Sequence, residues 1–376
     1  MTYYIGVMSG TSLDGIDVVI IEQQTAIPSK LIAAQTYPFE VNLRLGLQQL
    51  IETQQCELKR FGELDIALGK AIATAINKLI ATTTLTATDI AAIGSHGQTV
   101  FHLPDSQNAF SLQIGNPNVI AEFTNITTIA DFRQRDMVLG GQGAPLVPAF
   151  HQGLFQTAEQ NRVIVNIGGI SNVTTLPSST EQTVLGFDTG PGNALLDAWF
   201  SRHHDGQAYD YDGLWASSGN VNQQLLNILL EDSYFKQAIP KSTGREYFHL
   251  NWLDHILEKC AHLALLPQDI QASLVSLTVQ TIAADIQRYA DNSTAIYVCG
   301  GGAHNSYLMQ QLQQALPNKA VLTTSELGLA PDWVEACAFA WLASQTLANK
   351  SGNLPAVTGA SKATVLGGIY SSNDAS

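Results

Sequence analysis

The chain has 376 residues, 45% hydrophobic and only 13% charged, enough apolar material for two domains with large cores. Its 18 Lys and Arg stand against 32 Asp and Glu, a formal charge of −14 without a basic stripe, so nucleic acid is not an expected partner. Cys56, Cys260, Cys299 and Cys337 are scattered, no apolar run is long enough to span a membrane, and the first residues lack a signal-peptide pattern. Those features predict a cytoplasmic protein without disulfides, zinc or membrane contact.

Three strand-like runs open the chain, Tyr3–Met8, Gly15–Glu22 and Leu31–Phe39. The first two flank a turn of small residues, hydroxyls and carboxylates: Gly10, Thr11, Ser12, Leu13, Asp14, Gly15, Ile16 and Asp17. Backbone amides and hydroxyls in such a turn suit an anion, and Asp14 and Asp17 suit a hydrated Mg²⁺, which together describe a nucleotide triphosphate site built without lysine. A helical region follows to about Ala81, with apolar residues at i, i+3 and i+4 spacing over Leu58–Ile72. Ile90–Ile93 reads as a strand ending in Gly94-Ser95-His96-Gly97-Gln98-Thr99, where His96 and Gln98 either bind a polar substrate or serve the fold. Past a short helix, Val119–Phe123, and a strand, Thr127–Ala130, comes the charged run Asp131-Phe132-Arg133-Gln134-Arg135-Asp136. Arg133 or Arg135 is a bidentate partner for a substrate carboxylate, or the run is a solvated loop with internal ion pairs.

The second half repeats the order. Val163–Ile167, Ser171–Leu176 and Thr183–Phe187 read as three strands, the first two joined through Asn166, Gly168 and Gly169 in a second hairpin. Gly186-Phe187-Asp188-Thr189-Gly190-Pro191-Gly192-Asn193 joins strand to helix, and its helix N-terminus favours an anion. Asp188 is a general base at a strand end or the cap of the next helix. A mostly helical stretch includes Gly219–Leu230, Leu250–Leu263 and Pro267–Tyr289, with Lys241-Ser242-Thr243-Gly244-Arg245-Glu246 between them as a second charged run. The strand Ala295–Cys299 ends in Gly300, Gly301 and Gly302, followed by His304 and Asn305. That run is either an adenosine site or a tight turn. Val321–Thr324 is a last strand and Glu335–Leu347 a closing helix. The repeat predicts two similar α/β domains, 1–140 and 141–376, closing on a nucleotide. The P-loop, HExxH and GxSxG patterns are absent, and the histidines lack metal-ligand spacing.

Together the segments Val7–Asp17, Ser95–Thr99, Ala130–Arg133, Gly140–Pro148, Asn166–Asn172, the stretch around Asp188, Pro240–Glu246 and Gly300–Gly302 resemble the anhydro-N-acetylmuramic acid kinases, within the actin-like and sugar-kinase ATPase superfamily. The resemblance covers most of the chain, in order.

It implies two duplicated actin-like (ribonuclease H-like) domains with mixed five-stranded sheets flanked by helices and a nucleotide in the interdomain cleft. It also implies a kinase that takes 1,6-anhydro-N-acetylmuramic acid, ATP and water to N-acetylmuramic acid 6-phosphate and ADP, as in peptidoglycan recycling. Asp188 matches the catalytic base. ATP binding falls to Gly10 through Asp17, with Asn166, Gly168, Gly169, Gly190, Gly300, Gly301, Gly302 and Asn305. His96, Gln98, Arg133 and Asp136 fall to the sugar, with Arg133 facing its lactyl carboxylate and Arg135 or Lys241 as alternatives. Mg²⁺ is expected through water at Asp14 and Asp17, and a homodimer is implied. Competing readings are a kinase of the same fold acting on another sugar or a small carboxylate, an actin-like ATPase module without kinase activity, and a sugar-sensing regulator.

Overall fold

The structure is a computed structural model describing residues 2–10, 13–24, 27–104 and 106–372. Strands β1 (Thr2–Ser9), β2 (Ile16–Gln24), β3 (Ile27–Tyr37), β4 (Ile90–Leu103), β5 (Phe110–Ile114) and β6 (Thr128–Ala130) come first. They are followed by β7 (Arg162–Ile167), β8 (Ile170–Leu176), β9 (Leu185–Pro191), β10 (Ala295–Cys299), β11 (Ala320–Thr323) and β12 (Gly368–Tyr370). The chain divides into two compact units, Met1–Leu154 with Trp333–Ser376, and Phe155–Asp332.

In the second unit the sheet order is β11-β10-β7-β8-β9. Pairs β7–β8 and β8–β9 are antiparallel, while β7–β10 and β10–β11 are parallel. The first unit contains the same arrangement as β6-β4-β1-β2-β3, with the same directions at every pairing. That correspondence is the duplication read from the sequence. The first sheet has seven strands rather than the expected five, because β5 adds to β4 and β12 adds to β6.

Strand β4 explains the first addition. It runs on through Gly94–Thr99 instead of ending there, and its far part pairs with β5 as a hairpin. Gly97, at φ +69°, marks an irregularity where the β1 register shifts between Val7 and Ser9. His96 and Gln98 therefore sit within a strand and not on a loop, and Gln98 pairs with Ser9 of β1 on one side and Ile114 of β5 on the other.

Each sheet is covered by helices whose sequences fit their surroundings. Leu64, Leu68, Ile72, Ile76, Leu79 and Ile80 form the buried stripe of the helix Leu58–Ile80 over the first sheet. The helix Pro267–Tyr289 opens on a proline at its first turn and buries Leu274, Leu277, Ile282 and Ile286 against the second.

The expected boundary at 140/141 is not where the units part. Phe150 packs its ring at a tilt against Trp341, centroids 6.1 Å apart, both in the first unit. The closing helix Val334–Leu347 packs on β1, β2 and β4, so the chain returns to its first unit. No described helix is long and apolar enough to cross a membrane.

Candidate active site

Asp188 lies on β9 and is only 8% exposed. Lys241, Tyr234 and Thr243 brace it. Its N–H donates to the Lys241 carbonyl at 3.1 Å, its carbonyl accepts the Tyr234 hydroxyl at 2.8 Å, and its carboxylate Oδ2 accepts the Thr243 N–H at 3.0 Å. A backbone N–H on a carboxylate favours the ionised form, the state a base needs. Burial and the carboxylates of Asp188 and Asp285 push the Tyr234 phenol far up, so Tyr234 stays a neutral donor. Asp188 is thus a strand residue braced from outside the strand, and the helix-cap alternative falls away: the N-cap of the following helix is Gly192, without a side-chain cap.

That helix does not offer its N-terminus to an anion. Gly192, Asn193 and Ala194 donate their N–H groups to the carbonyls of Gly169, Gly168 and Gly169 at 2.9, 2.8 and 3.1 Å. The Gly168 N–H in turn donates to Ile170 at 3.2 Å. The β7–β8 hairpin is therefore tied to the helix start, and of Gly168 and Gly169, both expected at the ATP, the Gly168 N–H is engaged within the hairpin. The Arg245 guanidinium lies over Gly169, near enough that a Cβ there would stand 2.9 Å from Nε. Gly190 approaches the Phe235 ring.

Gly300 ends β10 at φ +76°, where a Cβ would strike the Asn166 side-chain oxygen. Asn166 is 5% exposed on the neighbouring strand end. A Cβ on Gly302 would strike the Ile167 side chain, while one on Gly301 would stand at an ordinary contact distance, 3.5 Å, from Asn193 Nδ2. The Asn305 side-chain oxygen accepts the Leu308 N–H at 2.9 Å and caps the helix Ser306–Ala315, so its role here is structural.

In the first unit, Gly10, Leu13, Asp14 and Gly15 form the β1–β2 connection; Thr11 and Ser12 lie outside the described residues. Leu13 stands at φ +56° and donates its N–H to Gly10 at 3.1 Å. Ile16 is 1% exposed, so only its backbone can serve a ligand. Asp14 is exposed, and Asp17 accepts the Thr36 hydroxyl at 2.6 Å. Among the described residues no group of three or more His, Cys, Asp or Glu is gathered to hold a metal. Two hard carboxylate donors fit Mg²⁺ carried with its waters on phosphate oxygens.

His96 is buried and its protonation is decided by its neighbours. Its Nδ1–H donates to the Gly97 carbonyl at 2.9 Å, which leaves Nε2 to accept from Arg133, at 2.8 Å from Nη2 and 3.2 Å from Nε. Burial, then the Arg133 charge, holds its pKa well below 6.5, so the ring is neutral. Arg133 also donates to the Gly143 carbonyl at 2.7 Å, and its guanidinium plane is fixed. Gln98 is fully buried, with the Ser9 hydroxyl on its side-chain oxygen, and joins the end of β1 to β4.

Two expected sugar contacts are engaged elsewhere. Asp136 is fully buried and accepts from Asn353 at 2.7 Å, Thr358 at 2.7 Å and the Gly143 N–H at 2.9 Å. That carboxylate shapes the Gly140–Gly143 turn and has no face for a sugar. Lys241, an alternative lactyl partner, is 3% exposed and pairs with Asp285 at 3.0 Å. Arg135 is exposed. The sequence missed Tyr234 and the Thr243 amide altogether; one is an ordinary aromatic in a helical stretch, and a backbone donor leaves no mark on a sequence.

The family model described as anhydro-N-acetylmuramic acid kinase matches residues 2–372. Curated relatives of that name are similar over 98% of this chain and 98% of their own length. They include proteins of Shewanella pealeana, 51% identical over 368 residues, Shewanella denitrificans, 52% over 369, and Photobacterium profundum, 49% over 375.

Proposed function

Because the chain belongs to the anhydro-N-acetylmuramic acid kinase family, we propose that it opens the 1,6-anhydro ring of 1,6-anhydro-N-acetylmuramic acid and phosphorylates O6 with ATP. The observation that carries the chemistry is the braced carboxylate of Asp188, buried on its strand with the Thr243 N–H donating to Oδ2.

The steps balance as follows. Water attacks the anomeric carbon and gives its proton to Asp188. The bond from that carbon to O6 breaks, and O6 takes the electron pair. O6 then bonds to the γ-phosphorus, and the β–γ bridging oxygen leaves with ADP. Phosphoryl transfer asks chiefly for positioning and charge stabilisation. The β1–β2 turn and the Gly169 N–H serve the phosphates, and Gly300–Gly302 with Asn166 serve the adenosine. When bound, Mg²⁺ supplies neutralising charge, held through water at Asp14 and Asp17. Arg133, oriented by His96 and Gly143, meets the lactyl carboxylate, which suits a bidentate guanidinium. We also assign the protein to the cytoplasm, on its four scattered free cysteines, and to a homodimer, on the family resemblance.

The test is ADP release from Mg-ATP with and without the anhydro sugar, in ¹⁸O-water. The expected product carries ¹⁸O at the anomeric position and phosphate on O6. Asp188→Asn is expected to bind ATP normally and to lose turnover by at least about a hundredfold. Equal ADP release without the sugar would move the activity to an ATPase module, and near-normal turnover of Asp188→Asn would remove the base assignment.

A further inference from the structure

The charged run Lys241–Glu246 has a Lys where a solvated loop would show it, yet the ammonium is buried. Its Nζ stands 3.0 Å from Asp285 Oδ2 on the helix Pro267–Tyr289, with side-chain exposures of 2% and 10%. It also lies over the Tyr234 ring at 5.3 Å and the Phe187 ring at 5.8 Å. Those two residues are the ones beside Asp188: Phe187 precedes it, and Tyr234 donates to its carbonyl. The main chain on either side of the Lys241 side chain grips Asp188 in both directions, Lys241 accepting its N–H and Thr243 donating to its carboxylate.

A buried ion pair is a poor source of stability, since desolvation offsets most of the attraction. It is directional, however, and an apolar pair is not. We propose that the Lys241–Asp285 pair positions the proposed base: it pins the 241–243 segment in the one register that puts the Thr243 N–H on the Asp188 carboxylate. The inference rests on Asp188 being the base. Lys241 and Asp285 are positioning residues, acting through Asp188.

Loosening the segment removes an N–H donor from the ionised carboxylate, which raises its pKa. Groups around Asp188 among the described residues include the Tyr234 hydroxyl from the turn Ser233–Lys236 and Lys241 from its own segment, with Asp285 and Arg288 behind Lys241. Tyr234 does not titrate near neutrality, and Asp285, whose carboxyl burial pushes up, is absent from the double variant below, so an acid limb that moves up in that variant is not the titration of Asp285.

The test compares Lys241→Met, Asp285→Asn and the double variant Lys241→Met/Asp285→Leu, with Asp188→Asn run beside them. Each single change leaves a buried group without its partner and is expected to lower thermal stability. The double variant removes both charges and is expected to recover it. Its kcat is still expected to fall by about ten- to a hundredfold, with KM for ATP within about twofold and the acid limb of kcat moved to higher pH. A double variant of normal stability, kcat and acid limb would overturn the inference and leave the pair as a fold element. The outcomes separate cleanly: an active Asp188→Asn overturns the base itself, whereas an inactive Asp188→Asn beside a fully normal double variant overturns the positioning role alone.

Discussion

At the scale of single residues, two members of one charged run take opposite roles, and only their surroundings divide them. Arg133 is held edge-on by a neutral His96 and by the Gly143 carbonyl. Asp136, three positions later, faces inward onto Asn353, Thr358 and the Gly143 N–H. Arg133→Met is expected to raise KM for the anhydro sugar by roughly tenfold or more, with KM for ATP little changed, and to cost about 1–3 kcal/mol of stability because the buried His96 Nε2 loses its donor. Asp136→Asn puts an amide N–H among donors and is expected to cost about 1–3 kcal/mol of stability, read from urea midpoints, with KM for the sugar nearly unchanged. If Asp136→Asn instead raised that KM in a stably folded protein, Asp136 would return to the sugar site. The sequence could not divide the pair, because both sit in the same polar run and burial of one depends on Asn353 and Thr358, more than two hundred positions away. Asp188 was legible as a strand-end carboxylate. Its bracing was not, since it is made by a main-chain amide and a tyrosine.

At the scale of elements, the closing helix Val334–Leu347 decides how the chain divides. It is buried nearly all round through Ala336, Ala338, Ala340 and Ala343, with Phe339 among them. Small residues allow close approach, and β1 and β4 answer with glycine. A Cβ on Gly6 would strike the Ala336 carbonyl, and one on Gly94 the Phe339 carbonyl. Gly94→Ala is therefore expected to destabilise by about 1–3 kcal/mol or more, because backbone must shift to admit it. Gly62→Ala gives the opposite sign: the site is open, it lies inside the helix Leu58–Ile80, and a gain of about 0.5–1 kcal/mol is expected. Equal urea midpoints for the two variants would contradict the close helix–strand contact. Strands and long helices were legible because their apolar periods are local. Two features were not. The Gly-rich stretch Gly94–Gln98 looks like a turn, and is strand only because β1 and β5 pair with it. A closing helix that is apolar on most of its faces, for its part, carries no sign of which sheet it covers.

At the scale of the whole molecule, the histidines that burial pushes furthest below 6.5 are unevenly shared. His96, His102 and His151 all belong to the first unit. Burial pushes His151 down to about 3, and burial together with the Arg133 charge pushes His102 down to about 4 and His96 well below 6.5. A histidine whose folded pKa lies below its unfolded one binds protons more weakly when folded. Its contribution is complete above about pH 6.5 and is lost as pH falls toward the folded value, by up to about 1.4 kcal/mol per pH unit for each group. For His102 that window runs from about 6.5 to about 4. In the second unit His203 shifts the same way, but it is exposed and screened by solvent. Asp285 there has the opposite sign, raised by burial, so it gains stability as pH falls through its folded value. Acid is therefore expected to loosen the first unit before the second. Hydrogen-exchange protection, corrected for intrinsic rates, should fall between pH 7.5 and 5 in β1 and β4 while β7 and β10 hold. His102→Gln should flatten that dependence by about one proton's worth. Earlier loss in β7 and β10, or an unchanged slope in His102→Gln, would mean that the neutral histidines of the first unit do not govern its acid stability.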